Sequence, residues 1–431
     1  MHRLRAWLEH WGPILPLLFA EGTVWLGFGA LLPILPIYYT RHGVDLPTLG
    51  IVVAAWPAAR LVTEPLFGWV ADRASRKRMM VIGLVASAVV AVMPLFAVGP
   101  IAFIVARLLA GMFAAVYDPA ARGYLVDANP PERQGETFGL YGAAQTGGFM
   151  VGPAVGGLAA AIAGDPTVVF WVCGVALLVS ATLVGARLPE RARLGGHVPA
   201  EVTAGEPAPG NAPSSILNRL FLVAVELNVV AFLAGGTYEV VWSLYMTSLG
   251  ASVAIIGVSF FTFALPAMLL SPFAGRYVDR RGGFLALVVG LAGVALCGVL
   301  YPVIPAILWM VLLGLVEGSA YAFAQPALYL LVSRASPAGR SSTAQGIFGA
   351  AGTLGTIVAS VSAGALAQVD LRLPFVAMGA TALALLVLGV LLGGRRLYPA
   401  MQPSHLAANR AAPPSSEAAA ASSFDGSTDR G

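Results

Sequence analysis

Residues 68–78 read GWVADRASRKR and residues 275–283 read GRYVDRRGG, two copies of G-x-x-x-D-R with 207 residues from one glycine to the other. Each copy is a short charged stretch pinned between long apolar runs. Hydrophobic residues make up 58% of the 431 and charged residues only 11%, against roughly 25% charged in ordinary soluble domains. The apolar residues come in blocks such as 79–99 and 373–394, and a bilayer core needs about 20 such residues per spanning helix. Counting blocks predicts helices over 14–40, 48–71, 79–98, 100–122, 138–163, 167–186, 219–248, 253–275, 284–303, 305–332, 343–367 and 372–393. The expected class is an all-α membrane protein with twelve transmembrane helices. A barrel is disfavoured because the runs are continuous rather than alternating, and barrel strands need only about 10 residues each. The first run lacks a small-residue cleavage site and continues past residue 30, so it is read as a retained span.

The basic residues set an expected orientation. Arg60 and Arg107 fall inside spans, and Arg41 and Arg372 fall in odd-numbered loops. The remaining Lys and Arg cluster at the termini or in even-numbered loops: Arg73, Arg76, Lys77 and Arg78, then Arg187, Arg191 and Arg193, then Arg276, Arg280 and Arg281. The positive-inside rule puts both termini and the even loops in the cytoplasm of a cell whose inner membrane carries the protein. Nucleic acid is not an expected partner, since no soluble domain carries these charges. Cys173 and Cys297 sit in mid-span as small apolar fillers, and five scattered histidines indicate no metal site.

The 207-residue offset extends beyond the two motifs. It superposes Tyr38 on Tyr245, Gly43 on Gly250, Gly50 on Gly257, Pro65 on Pro272, Asp72 on Asp279, Gly111 on Gly318, Pro119 on Pro326 and Gly157 on Gly364, without a gap. The chain therefore divides into two six-helix bundles, over 1–187 and 219–395, joined by a flexible cytoplasmic linker over 188–218 and followed by a disordered cytoplasmic tail over 396–431. Six spans return each half to the same face, so the copies share one orientation and are related by an axis along the membrane normal.

Over residues ~10–395 the chain resembles a transporter of the major facilitator superfamily. Gly68-x-x-x-Asp72-Arg73-x-x-Arg76-Lys77 is similar to that superfamily's signature between its second and third helices, and Gly275-x-x-x-Asp279-Arg280 to the second copy. Ser75 stands where the family usually has Gly. Gly68 and Gly275 are expected where two helices approach closely. The loop Asp can face the amino terminus of a neighbouring helix, and the arginines can pair with a carboxylate below the fourth span, for which Asp127 is the candidate. The resemblance implies that this cluster latches the halves together while the transporter is open to the outside.

Eight ionisable residues fall within spans: Glu21, Arg60, Glu64, Arg107, Asp118, Glu226, Glu239 and Glu317. An Arg at mid-bilayer costs about 2.5–3.5 kcal/mol on insertion scales, so such groups should face protein or water. Six lie on spans 1, 4, 7 and 10, which in the superfamily line the central cavity, and spans 3, 6, 9 and 12 carry none. Arg107-x-x-x-Gly111 resembles the family's fourth-helix arginine motif, which it links to proton coupling, with Ala110 at a commonly polar position. Glu317 and Glu239 are the first candidates for proton carriers. Static pairs are the competing explanation, and Arg60 with Glu64 at i, i+4 can satisfy each other on one helix.

The fifth span carries Gly148-x-x-x-Gly152-Pro153-x-x-Gly156-Gly157, with three glycines along one face, and in the second copy Gly152-Pro153 becomes Ala359-Ser360. It resembles the motif that the superfamily's proton-driven exporters carry and its importers usually lack. A nucleotide-binding loop needs Gly-Lys-[Ser/Thr], but the single lysine, Lys77, lies between two arginines. Unless a partner supplies ATP, an ion gradient or the substrate's own gradient must drive the protein; a proton gradient is the expected source, with no cofactor. The resemblance implies an efflux antiporter of the multidrug group, moving small apolar or amphipathic compounds past Trp25, Trp56, Trp242 and Tyr321. Tyr38, Tyr39 and Tyr245 are expected as interfacial anchors. A proton symporter for a sugar or organic acid and a lipid flippase are the alternatives. No constellation suits an enzyme. The expected partners are a small-molecule substrate and the bilayer, and the chain is expected to act as a monomer.

Overall fold

The computed structural model describes residues 12, 14–71, 73–128, 134–190, 217–336 and 341–402. Thirteen α-helices form among them: α1 (Leu15–Leu31), α2 (Leu35–Arg41), α3 (Leu46–Ala71), α4 (Arg76–Val92), α5 (Pro100–Ala128), α6 (Gln134–Ala163), α7 (Val168–Arg187), α8 (Arg219–Ser248), α9 (Val253–Arg281), α10 (Phe284–Leu300), α11 (Ile307–Ala335), α12 (Ser341–Ala367) and α13 (Leu373–Ala400). Ten are long and apolar enough to cross a membrane. The pair α1 and α2, bent by 41°, makes another span, and the seventeen-residue apolar helix α10 completes twelve. The first span is broken where Pro33 and Pro36 withhold amide hydrogens from the helix ladder. From the second span onward, span n is helix α(n+1).

Packing follows the sequence repeat. In the first half α1 packs on α6 and α7, α3 on α5, and α4 on α5 and α7. In the second half α8 packs on α12 and α13, α9 on α11, and α10 on α11 and α13. The two halves meet through α3 against α12 and α6 against α9, which the same offset relates. Two glycines one repeat apart, Gly43 (φ 82°) and Gly250 (φ 85°), make the turns that enter α3 and α9, a backbone region open chiefly to glycine.

Among the described residues, the tightest approaches between the halves lie at one end, the end carrying loops 42–45, 164–167, 249–252 and 368–372. There the core of the first half runs on into Val240, Val241, Ile256, Ala363 and Phe375 of the second. At the other end the second half keeps a core of its own, including Phe221, Leu227, Leu287, Leu331 and Phe348. Backbone approaches at the closed end are too tight for any side chain. A Cβ on Gly50 would lie 2.5 Å from the Ser360 carbonyl oxygen, and one on Gly157 would lie 2.8 Å from that of Val253. Their repeat partners are equally confined, Gly257 by the Pro153 carbonyl and Gly364 by that of Leu46.

Several sequence expectations change here. Gly68 and Gly275 do not mark close approaches: a Cβ on Gly275 would meet nothing within 4 Å, and one on Gly68 only Pro119 of its own half at 3.9 Å. In this conformation the glycines that a side chain would obstruct lie at the closed end. Helix α5 continues past 122 to Ala128, so Arg122 lies inside the helix rather than at its last position. Helix α13 breaks at Gly394 (φ 52°, ψ −141°) and resumes to Ala400, so residues 396–400 of the expected tail are helical. Residues 191–216 of the expected linker, 403–431 of the expected tail, and Asp72 lie outside the described residues.

Candidate functional site: an aromatic cavity and the charges around it

A cavity of about 200 Å³ opens within the first half near the closed end, lined by Trp25, Phe28, Tyr39, Trp56, Phe149 and Phe170 among other apolar groups, with Glu239 reaching it from the second half. Its charged lining is one pair, Arg107 of α5 and Glu239 of α8. The Arg107 guanidinium donates to Glu239 Oε1 at 2.6 Å and to the Val53 carbonyl at 3.2 Å. This pair bridges the two halves. Both side chains are largely withdrawn from solvent, at 11% and 19% exposure, so each depends on the other for solvation. Trp56 holds the arginines by their cationic faces, with Arg60 4.9 Å and Arg107 6.0 Å from its ring centre.

Toward the open end, Arg60 and Glu64 of α3 cross Asp118 and Arg122 of α5. Arg60 donates to Asp118 and, at 3.3 Å, to Glu64; Arg122 donates to Glu64 at 3.1 Å and lies 3.9 Å from Asp118. The i, i+4 pair expected on one helix is thus half of a square of alternating charges. Arg122, the last residue of the expected fourth span and not counted among the intramembrane charges, completes it.

The remaining acids are held differently. Glu21 is fully buried and accepts hydrogen bonds from Trp25 Nε1 at 2.8 Å, the Tyr117 hydroxyl at 2.7 Å and Gln145 Nε2 at 3.2 Å. Glu317, 1% exposed, accepts from the Tyr238 hydroxyl at 2.8 Å and the Tyr301 hydroxyl at 2.6 Å. Among the described residues both carboxylates are held by neutral donors rather than by a cation. Glu226 does not face the cavity. It lies in the seam between α8 and α13 over Gly389, and among the described residues neither carboxylate oxygen has a hydrogen-bond partner.

Of the expected cavity aromatics, Trp25 and Trp56 line the cavity. Trp242 is buried within the second half, donating to Ser259 Oγ at 2.8 Å, and Tyr321 packs on Phe263 with ring centres 6.0 Å apart. Tyr38, Tyr39 and Tyr245 are interior residues at 5%, 1% and 2% exposure, not interfacial anchors; Tyr38 donates to the Pro94 carbonyl at 3.0 Å. The sequence reading missed Tyr117, Gln145, Tyr238, Tyr301 and Arg122. Two of them had a signal: Tyr117-Asp118 and Tyr238-Glu239 each put a tyrosine directly before an intramembrane acid.

In the loop motifs, Arg76 pairs with Asp127 at 2.9 Å, and its guanidinium lies over Gly123, where a Cβ would sit 2.5 Å from Nη1. Arg73 stacks on Trp69, 3.9 Å from the ring centre. Asp279 and Arg280 are exposed. On α6, Gly148, Gly152 and Gly156 lie against the α1 backbone at Gly22, Leu26 and Ala30, while Gly157 and the Pro153 carbonyl face α9. Among the described residues no group of His, Cys, Asp and Glu could hold a metal ion.

The family model of the Major Facilitator Superfamily matches residues 17–238 and 227–419. The chain belongs to the Major Facilitator Superfamily. Its fold is that of other superfamily transporters. A bacterial homologue of the human lysosomal transporter Spinster, solved in an inward-facing and unoccupied conformation, superposes with a TM-score of 0.69 at 14% identity, covering 91% of this chain and 98% of that one. A peptide transporter, POT, gives 0.73 at 14% identity, covering 90% and 95%. Among curated relatives, the quinolone resistance protein NorA of Staphylococcus aureus is 28% identical over 238 residues, 54% of this chain and 58% of NorA. Multidrug resistance protein 2 of Bacillus subtilis is 28% identical over 230 residues, 52% and 55%. The matched stretches thus span little more than half of each curated relative.

Proposed function

We propose that this superfamily member is a secondary active transporter that expels small apolar or amphipathic compounds in exchange for protons by alternating access. The observation that carries the reading is the Arg107–Glu239 pair, which joins the two halves on the wall of an aromatic cavity. A ligand or proton that neutralises Glu239 removes the attraction between the halves, and the bundle can then rock. Trp25 and Trp56 supply ring faces for an apolar ligand. Glu317, whose Tyr238 partner is the neighbour of Glu239 on α8, is a second proton carrier; Glu21, Arg60, Glu64, Asp118 and Glu226 complete the ionisable set. The Gly148–Gly157 face of α6, sealed on α1 and α9, and the likeness to NorA and multidrug resistance protein 2 support export.

The basic loops lie at the open end, so the positive-inside rule makes this an inward-open conformation of an inner-membrane protein with cytoplasmic termini. Arg76 with Asp127 then belongs to the latch that closes the cytoplasmic end in the opposite state. The chain acts as a monomer, without cofactor, nucleic-acid partner or enzymatic step. Proteoliposomes loaded with substrate test this directly: adding a compound from an amphipathic panel should release protons in the wild type, and Arg107→Ala and Glu239→Gln should abolish the release while retaining binding. Proton and substrate moving in the same direction would establish a symporter and refute export.

A further inference from the structure

The two halves secure their motif loops by different means, although the repeat places the same positions there. In the first half, Arg76 follows the loop, lies over Gly123 and pairs with Asp127. One repeat later those three positions are Gly283, Leu330 and Arg334, so the charged side chain, the glycine beneath it and the carboxylate are all replaced together. The gap beside Gly283 is filled from elsewhere in the chain. A Cβ on Gly283 would sit 2.8 Å from Met401 Cε, 3.2 Å from Leu330 Cδ2 and 3.5 Å from Ala327 Cβ, and the Gly283 amide donates to the Met401 carbonyl at 2.9 Å.

What delivers Met401 is a built turn. Gly394 takes φ 52°, which ends the bilayer part of α13 and turns the chain across the open end of the second half. Gly393 lies under Leu397, where a Cβ would come within 2.8 Å of that side chain. Leu397 and Met401 are both fully buried in the core that also holds Ala327 and Leu331, while Tyr398 covers Phe284, with ring centres 5.5 Å apart. Arg395 and Arg396 remain exposed.

We propose that residues 395–401 are an apolar clasp that fixes the 282–283 turn, and with it the open end of α9, to α10, α11 and α13. Helix α9 also carries the closed-end contact at Gly257, so it must move with its half when the ends exchange. The clasp makes the second half rock as one body. In the first half the Arg76–Asp127 ion pair holds the corresponding loop. The apolar hold is insensitive to salt, whereas the ion pair is exposed to screening.

Full-length protein in native membranes provides the test, with two readouts: trypsin cleavage at Arg395–Arg396, and thiol labelling of Gly275→Cys at the open end of α9. In the otherwise unaltered chain, cleavage should be slow, and the labelling rate should stay constant as salt rises. Met401→Glu should speed cleavage and change the labelling rate roughly tenfold, by freeing an element whose position is otherwise fixed. Met401→Ala should change both in the same sense but less, which keeps the test available if the glutamate variant does not insert, and Met401→Leu should behave as wild type. Immediate cleavage of the wild type would refute the clasp. So would faster cleavage in Met401→Glu or Met401→Ala with the labelling of position 275 unchanged, because the segment would then be anchored without holding α9.

Discussion

Arg107 and Glu239 illustrate how much one contact can decide in a low-dielectric setting. Each is nearly enclosed, and removing one partner from a buried pair strands the other charge at a cost of about 3–5 kcal/mol. Arg107→Ala is therefore expected to loosen the closed end more than Glu239→Gln, since the glutamine still accepts a hydrogen bond. The comparison is made by thermal unfolding in detergent and by solvent access to a cysteine placed at Thr48, half-buried at the same end. Glu21 poses the opposite case, an acid held by neutral donors. Tyr117→Phe removes its shortest hydrogen bond, 2.7 Å, and is expected to destabilise the first half by about 1.5–3 kcal/mol, the value of a hydrogen bond to a charged group. A melting temperature equal to that of wild type would show that Tyr117 does not hold Glu21. The positions of these acids were legible in the sequence, because a charge in a twenty-residue apolar run stands out. Their partners were not: pairing of Glu317 with Tyr301, or of Glu21 with Gln145, depends on helix rotation, which composition does not record.

Among the elements, α3, α6, α9 and α12 form the crossings that close one end. Glycines at 50, 157, 257 and 364 let backbones touch there, and the repeat had already paired Gly50 with Gly257 and Gly157 with Gly364. Their alignment was visible in the sequence, but its meaning was not, because a repeat does not say which end of a bundle is shut. Gly68 and Gly275 have open space around them in this conformation and make no close approach between the halves. Gly257→Leu drives a side chain into the Pro153 carbonyl, and overpacking of this kind costs roughly 1–3 kcal/mol. It is expected to shift the population toward opening of the now-closed end by about ten- to hundredfold. Gly275→Leu, with open space around it, should leave the population of this conformation unchanged. Labelling of single cysteines in the two end loops separates the outcomes, and equal effects of the two substitutions would contradict the assignment of the gate.

For the whole molecule, the decisive features are two like-oriented halves, one shared core at the closed end and separate packing at the other. The twelve spans and the duplication followed from hydropathy and from the 207-residue offset. The break in the first span and the late turn of α13 did not, because both depend on local backbone geometry at Pro33, Pro36 and Gly394. The central claim is that the two ends open in alternation. It is tested most directly by measuring two label-to-label distances in one reconstituted protein, Asp45 to Ser248 across the closed end and Lys77 to Arg281 across the open end. Acidification or substrate should lengthen the first distance while shortening the second. If both stay fixed, or both change in the same direction, alternating access by rocking of the two halves is contradicted.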